Sequence, residues 1–445
     1  MAISGSGRMS EMLPQGWARS ELIGMSRVEY GKGLSKRQRV ETGSVGVYGS
    51  AGLVGHHDRA LVDEPVVIVG RKGNAGAVWH SEEPSWPIDT TYFLKVPSGI
   101  CAKYLELQLG HLDLVGHDSS TTIPSLRRPD LEATSIIIAP SAEQGRIVAA
   151  IEECFSRLDA ASDAITAAQA RITALRRSVL TEAFAGRLVP QDPDDEPASV
   201  LLERIAANRQ TEPSAQRAIS ASGSMTSDLP PGWVIATLGD VFTPRKGKDA
   251  PSPLDRRPYL SLDNVESHTL RITAWERSSG YSSQSSQLFA GDVAYARLRP
   301  YLNKIALIDR EALGSAEFIV LPRMPGVLSE FLCYRLLCRD FVRFADQHST
   351  GDRPRLKWAQ MRDFPFGLPS TAEQGRIVDA IEECFLRLDA ASDAITAAQA
   401  RIEALRRSVL TEAFAGRLVP QDPNDEPASA LLKRITAART AKSKR

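Results

Sequence analysis

From Ser141 to Gly186 the apolar residues of this chain return every seven positions. Ile151, Leu158, Ile165, Ile172 and Val179 share one heptad position, a, and Ile147, Cys154, Ala161, Ala168 and Leu175 share another, d. The stretch has no proline and almost no glycine, so the pattern predicts a single long coiled-coil helix. Ser141 with Gln144 resembles a capping box at its start, and Gly186 marks its end. At 1.5 Å per residue it would be roughly 65 Å long.

The pattern is written twice. Residues 142–205 recur at 372–435, an offset of 230, with 58 of 64 positions identical and differences only at 149, 156, 173, 194, 200 and 203. The second seam is Ile381, Leu388, Ile395, Ile402 and Val409 at a, with Ile377, Cys384, Ala391, Ala398 and Leu405 at d. Two matching seams in one chain most simply bury each other, and the small d residues let the backbones approach. Antiparallel pairing with internal pseudo-twofold symmetry is preferred, because the chain has room to turn back after the first block. A parallel pair and a dimerisation seam are the alternatives. Each copy continues through LTEAFAGRLVPQDP into a short second helix, with Glu196 or Glu426 near its start, where the helix dipole favours acid.

The stretches preceding the two helices have diverged. LPQGW at 13–17 matches LPPGW at 229–233, and Gly31-Lys32 matches Gly247-Lys248, both at an offset of 216. Elsewhere, short Val/Ile/Tyr runs between Gly and Pro signals predict mixed α/β (α+β) domains with a sizeable sheet component. The expected division is a first domain over 1–140, a first repeat over 141–205, a Ser/Ala-rich linker over 206–227, a second domain over 228–370 and a second repeat over 371–445. Near-identical helices carrying dissimilar domains imply two recognition tasks on one frame.

Composition adds limits. The chain has 445 residues, 42% hydrophobic and 24% charged, as in soluble globular proteins. Apolar runs such as PVVIVG (65–70) and SIIIAP (135–140) fall far below the roughly 18 residues of a membrane span. The start, MAISGSGRMSEM, lacks an apolar signal core, so a cytoplasmic protein without membrane contact is expected. The five cysteines (101, 154, 333, 338 and 384) form no CxxC pair, and the adjacent His56-His57 is a poor metal site, so no metal centre is expected.

The formal net charge is zero; residues 13–140 carry 13 basic and 14 acidic groups, and residues 229–370 carry 19 and 15. Bulk charge therefore does not point to nucleic acid. Local clusters do so weakly: Lys32, Lys36, Arg37 and Arg39; Arg245, Lys246 and Lys248; Arg353, Arg355 and Lys357. No catalytic residue is expected. GRKGNAG and GKGLSK lack the spacing of a phosphate loop. The PP of LPPGW lacks the flanking residues of a base-modifying methyltransferase, and no ExK follows Pro129-Asp130 as a nuclease would need.

The order LPxGW, variable domain, xEQGRIV opening a long helix and LTEAFAGRL closing it, stated twice, resembles the specificity subunits of type I restriction-modification systems. The likeness covers nearly the whole chain. IVGRKGNAG with PIDTTYFL (68–94) and GDVAYARLRPYLNKIAL (291–307) look like two recognition-domain subtypes. The first domain ends in TTIPSLRRPDLEATSIIIAP and the second in the unlike GDRPRLKWAQMRDFPFGLPS, leaving the first boundary strand open.

The resemblance implies a non-catalytic subunit that binds double-stranded DNA. Each target-recognition domain reads one half of a bipartite sequence, and the paired helices set the spacer. Implied partners are two modification subunits, which methylate adenine, and restriction (motor-nuclease) subunits. S-adenosylmethionine, ATP and Mg would belong to those partners, with no cofactor in this chain. DNA contact is expected from Lys32, Lys36, Arg37, Arg39, Arg71, Lys72 and Asn74 in the first domain. In the second it is expected from Arg245, Lys246, Lys248, Arg297, Arg299, Lys304, Arg353, Arg355 and Lys357, with Arg297 and Arg299 on one strand pointing the same way. Basic residues meet phosphates more often than bases. A coiled-coil scaffold without a DNA role and a self-sufficient restriction or methylation enzyme are the competing readings.

Overall fold

The computed structural model describes residues 13–40, 42–115, 125–208 and 229–443. The chain divides into two compact units, residues 1–166 with 396–445 and residues 167–395. The first domain runs β1 (Ala18–Glu21), α1 (Leu22–Met25), β2 (Val28–Tyr30), β3 (Val45–Gly49), β4 (Gly52–His57), β5 (Val66–Gly70), β6 (Val78–Ser81), β7 (Ser85–Pro87), β8 (Thr91–Lys95), α2 (Ala102–His111), α3 (Arg128–Glu132) and β9 (Ser135–Ile138). The first repeat supplies α4 (Ser141–Phe184) and α5 (Ala198–Asn208).

The second domain runs β10 (Val234–Thr237), α6 (Leu238–Val241), β11 (Lys248–Asp249), β12 (Pro258–Leu260), β13 (Glu276–Arg277), β14 (Ser285–Leu288), β15 (Val293–Ala296), β16 (Ile305–Leu307), β17 (Ala312–Gly314) and β18 (Phe318–Leu321). It ends in α7 (Ser329–Leu337), α8 (Arg339–Gln347), α9 (Trp358–Met361) and β19 (Pro365–Leu368), before α10 (Thr371–Phe414) and α11 (Ala428–Ser443) of the second repeat.

Each domain is built around a strand covered on both faces. In the first, the sheet order is β2-β8-β5-β6, beside a smaller sheet β4-β3-β7. The apolar run of β5 splits by the period of two that a strand imposes. Val67 and Val69 enter one cluster with Leu105 and Leu109 of α2, and Val66 and Ile68 enter another with Phe93. In the second domain the sheets are β11-β14-β17-β12-β13 and β16-β15-β18. There β15 divides the same way, Val293 and Tyr295 to one cluster and Ala294 and Ala296 to the other.

The boundary strands are alike despite their unlike sequences. β1 pairs antiparallel with β9, and β10 with β19, so each domain closes on itself before its long helix begins.

Within each unit the long helices run antiparallel. In the first, Ile147 and Ile151 near the start of α4 pack with Ala413 and Phe414 at the end of α10, and Arg406 pairs with Asp159. In the second, Arg176 pairs with Asp389, and Ile377 and Ile381 share a core with Leu180 and Ala183. All ten a residues are buried or half-buried.

The d register departs from the heptad. Ala161, Leu175, Ala391, Ala398 and Leu405 are exposed, the two leucines at 42% each, while Ser162, Arg176, Ser392 and Arg406 turn half inward. A straight α-helix drifts about 20° per heptad, which carries the seam past the d residue to its neighbour. The guanidiniums of Arg176 and Arg406 then lie 5.1 and 5.2 Å from the rings of Phe385 and Phe155.

Gln144 also departs from its expected role. Fully buried, it accepts from the Cys101 N–H and donates to the Ala139 carbonyl, tying α4 to the domain before it instead of closing a capping box. Gln374 does the same with Leu328 N–H and the Pro369 carbonyl.

The second helices dock where the sequence could not say. Leu201 and Ile205 of α5 enter the core of the second domain, and Leu431 and Ile435 of α11 enter that of the first. α5 runs to Asn208, past the expected linker start at 206; from 209 that linker lies outside the described residues.

LPxGW is the socket for this docking. Trp17 and Trp233 donate from Nε1 to Glu143 and Glu373, both at 2.9 Å. The carbonyls of Gly16 and Gly232 accept from the first N–H groups of α11 and α5, those of Ala428 and Ala198. Pro14 and Pro230 press on Gly416 and Gly186, left-handed residues where a Cβ would come within 2.2 and 2.1 Å of the proline rings.

Among the described residues no helix is long and apolar enough to cross a membrane, and no cluster of three or more His, Cys, Asp or Glu side chains is placed to hold a metal. Cys333 and Cys338 are buried core residues, and burial raises both thiol pKa values, that of Cys338 to about 12.

Candidate nucleic-acid interface

In the first unit the basic segments around 32–39 and 71–74 both hang on residues 86–91. Lys32 N–H donates to the Pro87 carbonyl, Trp86 Nε1 donates to the Lys32 carbonyl at 2.8 Å, and Arg71 N–H donates to the Thr90 carbonyl at 2.9 Å. Gly31 makes the approach possible, since a Cβ there would sit 2.0 Å from the Ile88 carbonyl oxygen. Lys32, Lys36, Arg37, Lys72 and Asn74 are exposed. Arg71 donates to the Asp89 carbonyl at 3.1 Å and lies 5.2 Å from the Tyr30 ring. Arg39 is an anchor in the free chain, donating to the carbonyls of Val54 and Leu34 at 3.2 Å each.

In the second unit Lys246 and Lys248 are exposed, while Arg245 is held two-pronged by buried Asp292 at 2.8 and 3.1 Å. Lys304 donates to the Leu262 carbonyl at 2.7 Å. Arg297 and Arg299 do not share a strand face, contrary to expectation. β15 ends at Ala296, and the chain then turns through left-handed Arg299 into Pro300. That turn lies against the segment containing Arg353, Arg355 and Lys357, through a bridge between Leu298 and Arg355.

Glu317 joins the two segments. It accepts from Arg297 Nε at 2.9 Å and from Arg355 Nε and Nη2, each at 3.1 Å. Burial pushes its carboxyl pKa up, but the two guanidiniums outweigh that and hold it below the usual range. Arg299, Arg353 and Lys357 are exposed beside this anchor.

No protein-family model matches the chain. It is 26% identical over 328 residues to the Escherichia coli type I restriction enzyme EcoEI specificity subunit, a match covering 59% of this chain and 54% of that protein. The chain thus spans about half the length of this curated relative. Its curated relatives are type I restriction enzyme specificity subunits.

The fold agrees. A solved chain described with complex assembly and conformational transition of the type I R-M system superposes with a TM-score of 0.67 at 15% identity, over 91% of this chain and 99% of that one. The HsdS subunit from Thermoanaerobacter tengcongensis superposes with a TM-score of 0.51 at 16% identity, over 91% and 98%.

Against this specificity-subunit fold, sequence reasoning passed over Tyr30, Arg128, Tyr301 and Glu317. Tyr30 is 51% exposed and flanked by the guanidiniums of Arg71 and Arg128; Tyr301 is 45% exposed at the turn after Arg299. An aromatic side chain read from sequence is assigned to a core by default. The available signal was their neighbours, Gly31-Lys32 and the Pro300 turn.

Proposed function

We propose that this chain is the DNA-binding specificity subunit of a type I restriction-modification complex. Each unit's domain reads one half of a bipartite double-stranded target, and the long helices set the unread spacer. The observation that carries the reading is the pairing of near-identical helical blocks with dissimilar domains. Reading needs diversity, whereas measuring and docking need constancy.

The six differences between the copies fall on exposed positions, apart from half-buried Ala430, yet most other exposed positions of the helices are identical. Solvated positions drift freely unless something contacts them. Two equal surfaces suit two copies of one partner, the adenine-methylating modification subunit, with restriction subunits joining afterwards. The chain itself carries no catalytic role in this reading. S-adenosylmethionine, ATP and Mg belong to the partners.

The exposed lysines and arginines of both domains position the duplex through its phosphates. Co-expression with the cognate modification subunit and mapping of methylated adenines across the host genome tests the proposal. A split motif with a constant gap is the expected result; a continuous short motif, or no methylation, overturns it.

A further inference from the structure

The turn after β15 is held in a backbone conformation that residues other than glycine adopt rarely. Arg299 (φ 51) and Asn303 (φ 42) are both left-handed, and among the described residues His268 alone of the other non-glycines has a positive φ. The surroundings impose the shape. Arg299 N–H donates to the Pro354 carbonyl at 2.8 Å, and Leu356 N–H to the Arg297 carbonyl at 2.9 Å. Asn303, fully buried, donates from Nδ2 to the Leu336 carbonyl at 3.0 Å. Pro300 is buried, and Glu317 holds Arg297 and Arg355 on either side.

A turn so firmly held would be expected to bury its one aromatic ring, yet Tyr301 is turned outward, 45% exposed, beside the exposed Arg299. A rigid tip sets a side chain down at one position, which base reading requires and phosphate neutralisation does not. A tyrosine offers an apolar ring for a thymine methyl and a hydroxyl that donates to or accepts from a base edge, while the neighbouring guanidiniums engage the backbone on either side. We propose that Tyr301 is a specificity-determining residue, contacting a base edge within the half-site bound by the second unit. The proposal rests on the DNA-binding reading above.

The test uses the full chain in complex with its modification subunit, comparing wild type, Tyr301→Phe and Tyr301→Ala. Competition binding is measured on duplexes in which each base of the methylation motif is changed in turn, with thermal unfolding as the folding control. Tyr301→Ala is expected to lower discrimination about tenfold at one or two positions of one half-site. The other half-site, the gap and the salt dependence stay as in wild type, and Tyr301→Phe, which keeps the ring, falls between the two. Unchanged discrimination in Tyr301→Ala, or an equal loss on every duplex, overturns the proposal while leaving the DNA-binding reading standing. A wild-type complex with no split motif would remove that reading first.

Discussion

Asp195 lies in the turn between α4 and α5 and clamps the start of α10. Its carboxylate accepts from Arg376 Nη2 at 2.7 Å and from Ser370 Oγ at 2.8 Å, and Asp425 repeats the clamp with Arg146 at 2.6 Å. The Arg376 hydrogen bonds hold the Asp195 carboxyl below its ordinary pKa; burial opposes them and the Ser370 bond adds to them. A depressed folded pKa contributes stability above the unfolded value, about 3.9, and that contribution is lost as the pH falls through the folded one. Asp195→Asn should therefore cost about 1 kcal/mol at neutral pH, allowing for partial exposure of the pair. Thermal unfolding should show the gap to wild type narrowing below about pH 4; a gap that widened there would assign the loss to something other than the carboxylate.

At the scale of elements, the heptad identifies both long helices, their a residues and the d residues nearest each helix start, but it misplaces Ala161, Leu175, Ala391, Ala398 and Leu405. A strict heptad places Ile172 and Leu175 equally in the seam, whereas Ile172 is half-buried and Leu175 is 42% exposed. Leu175→Gln should change stability by less than about 0.5 kcal/mol, and Ile172→Gln should cost at least about 1 kcal/mol. Equal losses in thermal unfolding would restore the heptad register. The strands were legible where apolar runs were continuous, as in β5, because a central strand buries both faces. Gln144 and the LPxGW motif were visible as strings, but their tasks were not. Both act on groups brought close only by folding, such as Cys101 N–H and the first turn of α11.

For the molecule as a whole, each unit combines the first half of one long helix with the second half of the other and receives the short helix of the opposite repeat. Under the proposed function, inserting seven residues into both α4 and α10 keeps the seam in phase and lengthens each helix by about 10 Å. The gap of the methylated motif should then grow by about three base pairs with both half-sites unaltered, at 3.4 Å per step. Methylome sequencing reads this directly, and an unchanged gap would separate the helices from the measuring role.

The doubled plan, the two long helices and the mixed α/β character of the domains can be read from the order of residues alone. These follow from periodicity and identity along the chain, which are local or self-referential properties. Which domain each short helix enters, where the seam passes from Leu175 to Arg176, and which basic residues stand free depend on packing in three dimensions. Arg39, Arg245 and Lys304 are occupied by internal acceptors, while Arg299 and Tyr301 face outward from a strained turn. The side chains look much alike as letters. Their freedom is set by acceptors that folding brings to them, at Leu262 for Lys304 and Asp292 for Arg245 but at Leu34 and Val54 for Arg39, and charge type and spacing carry no record of those.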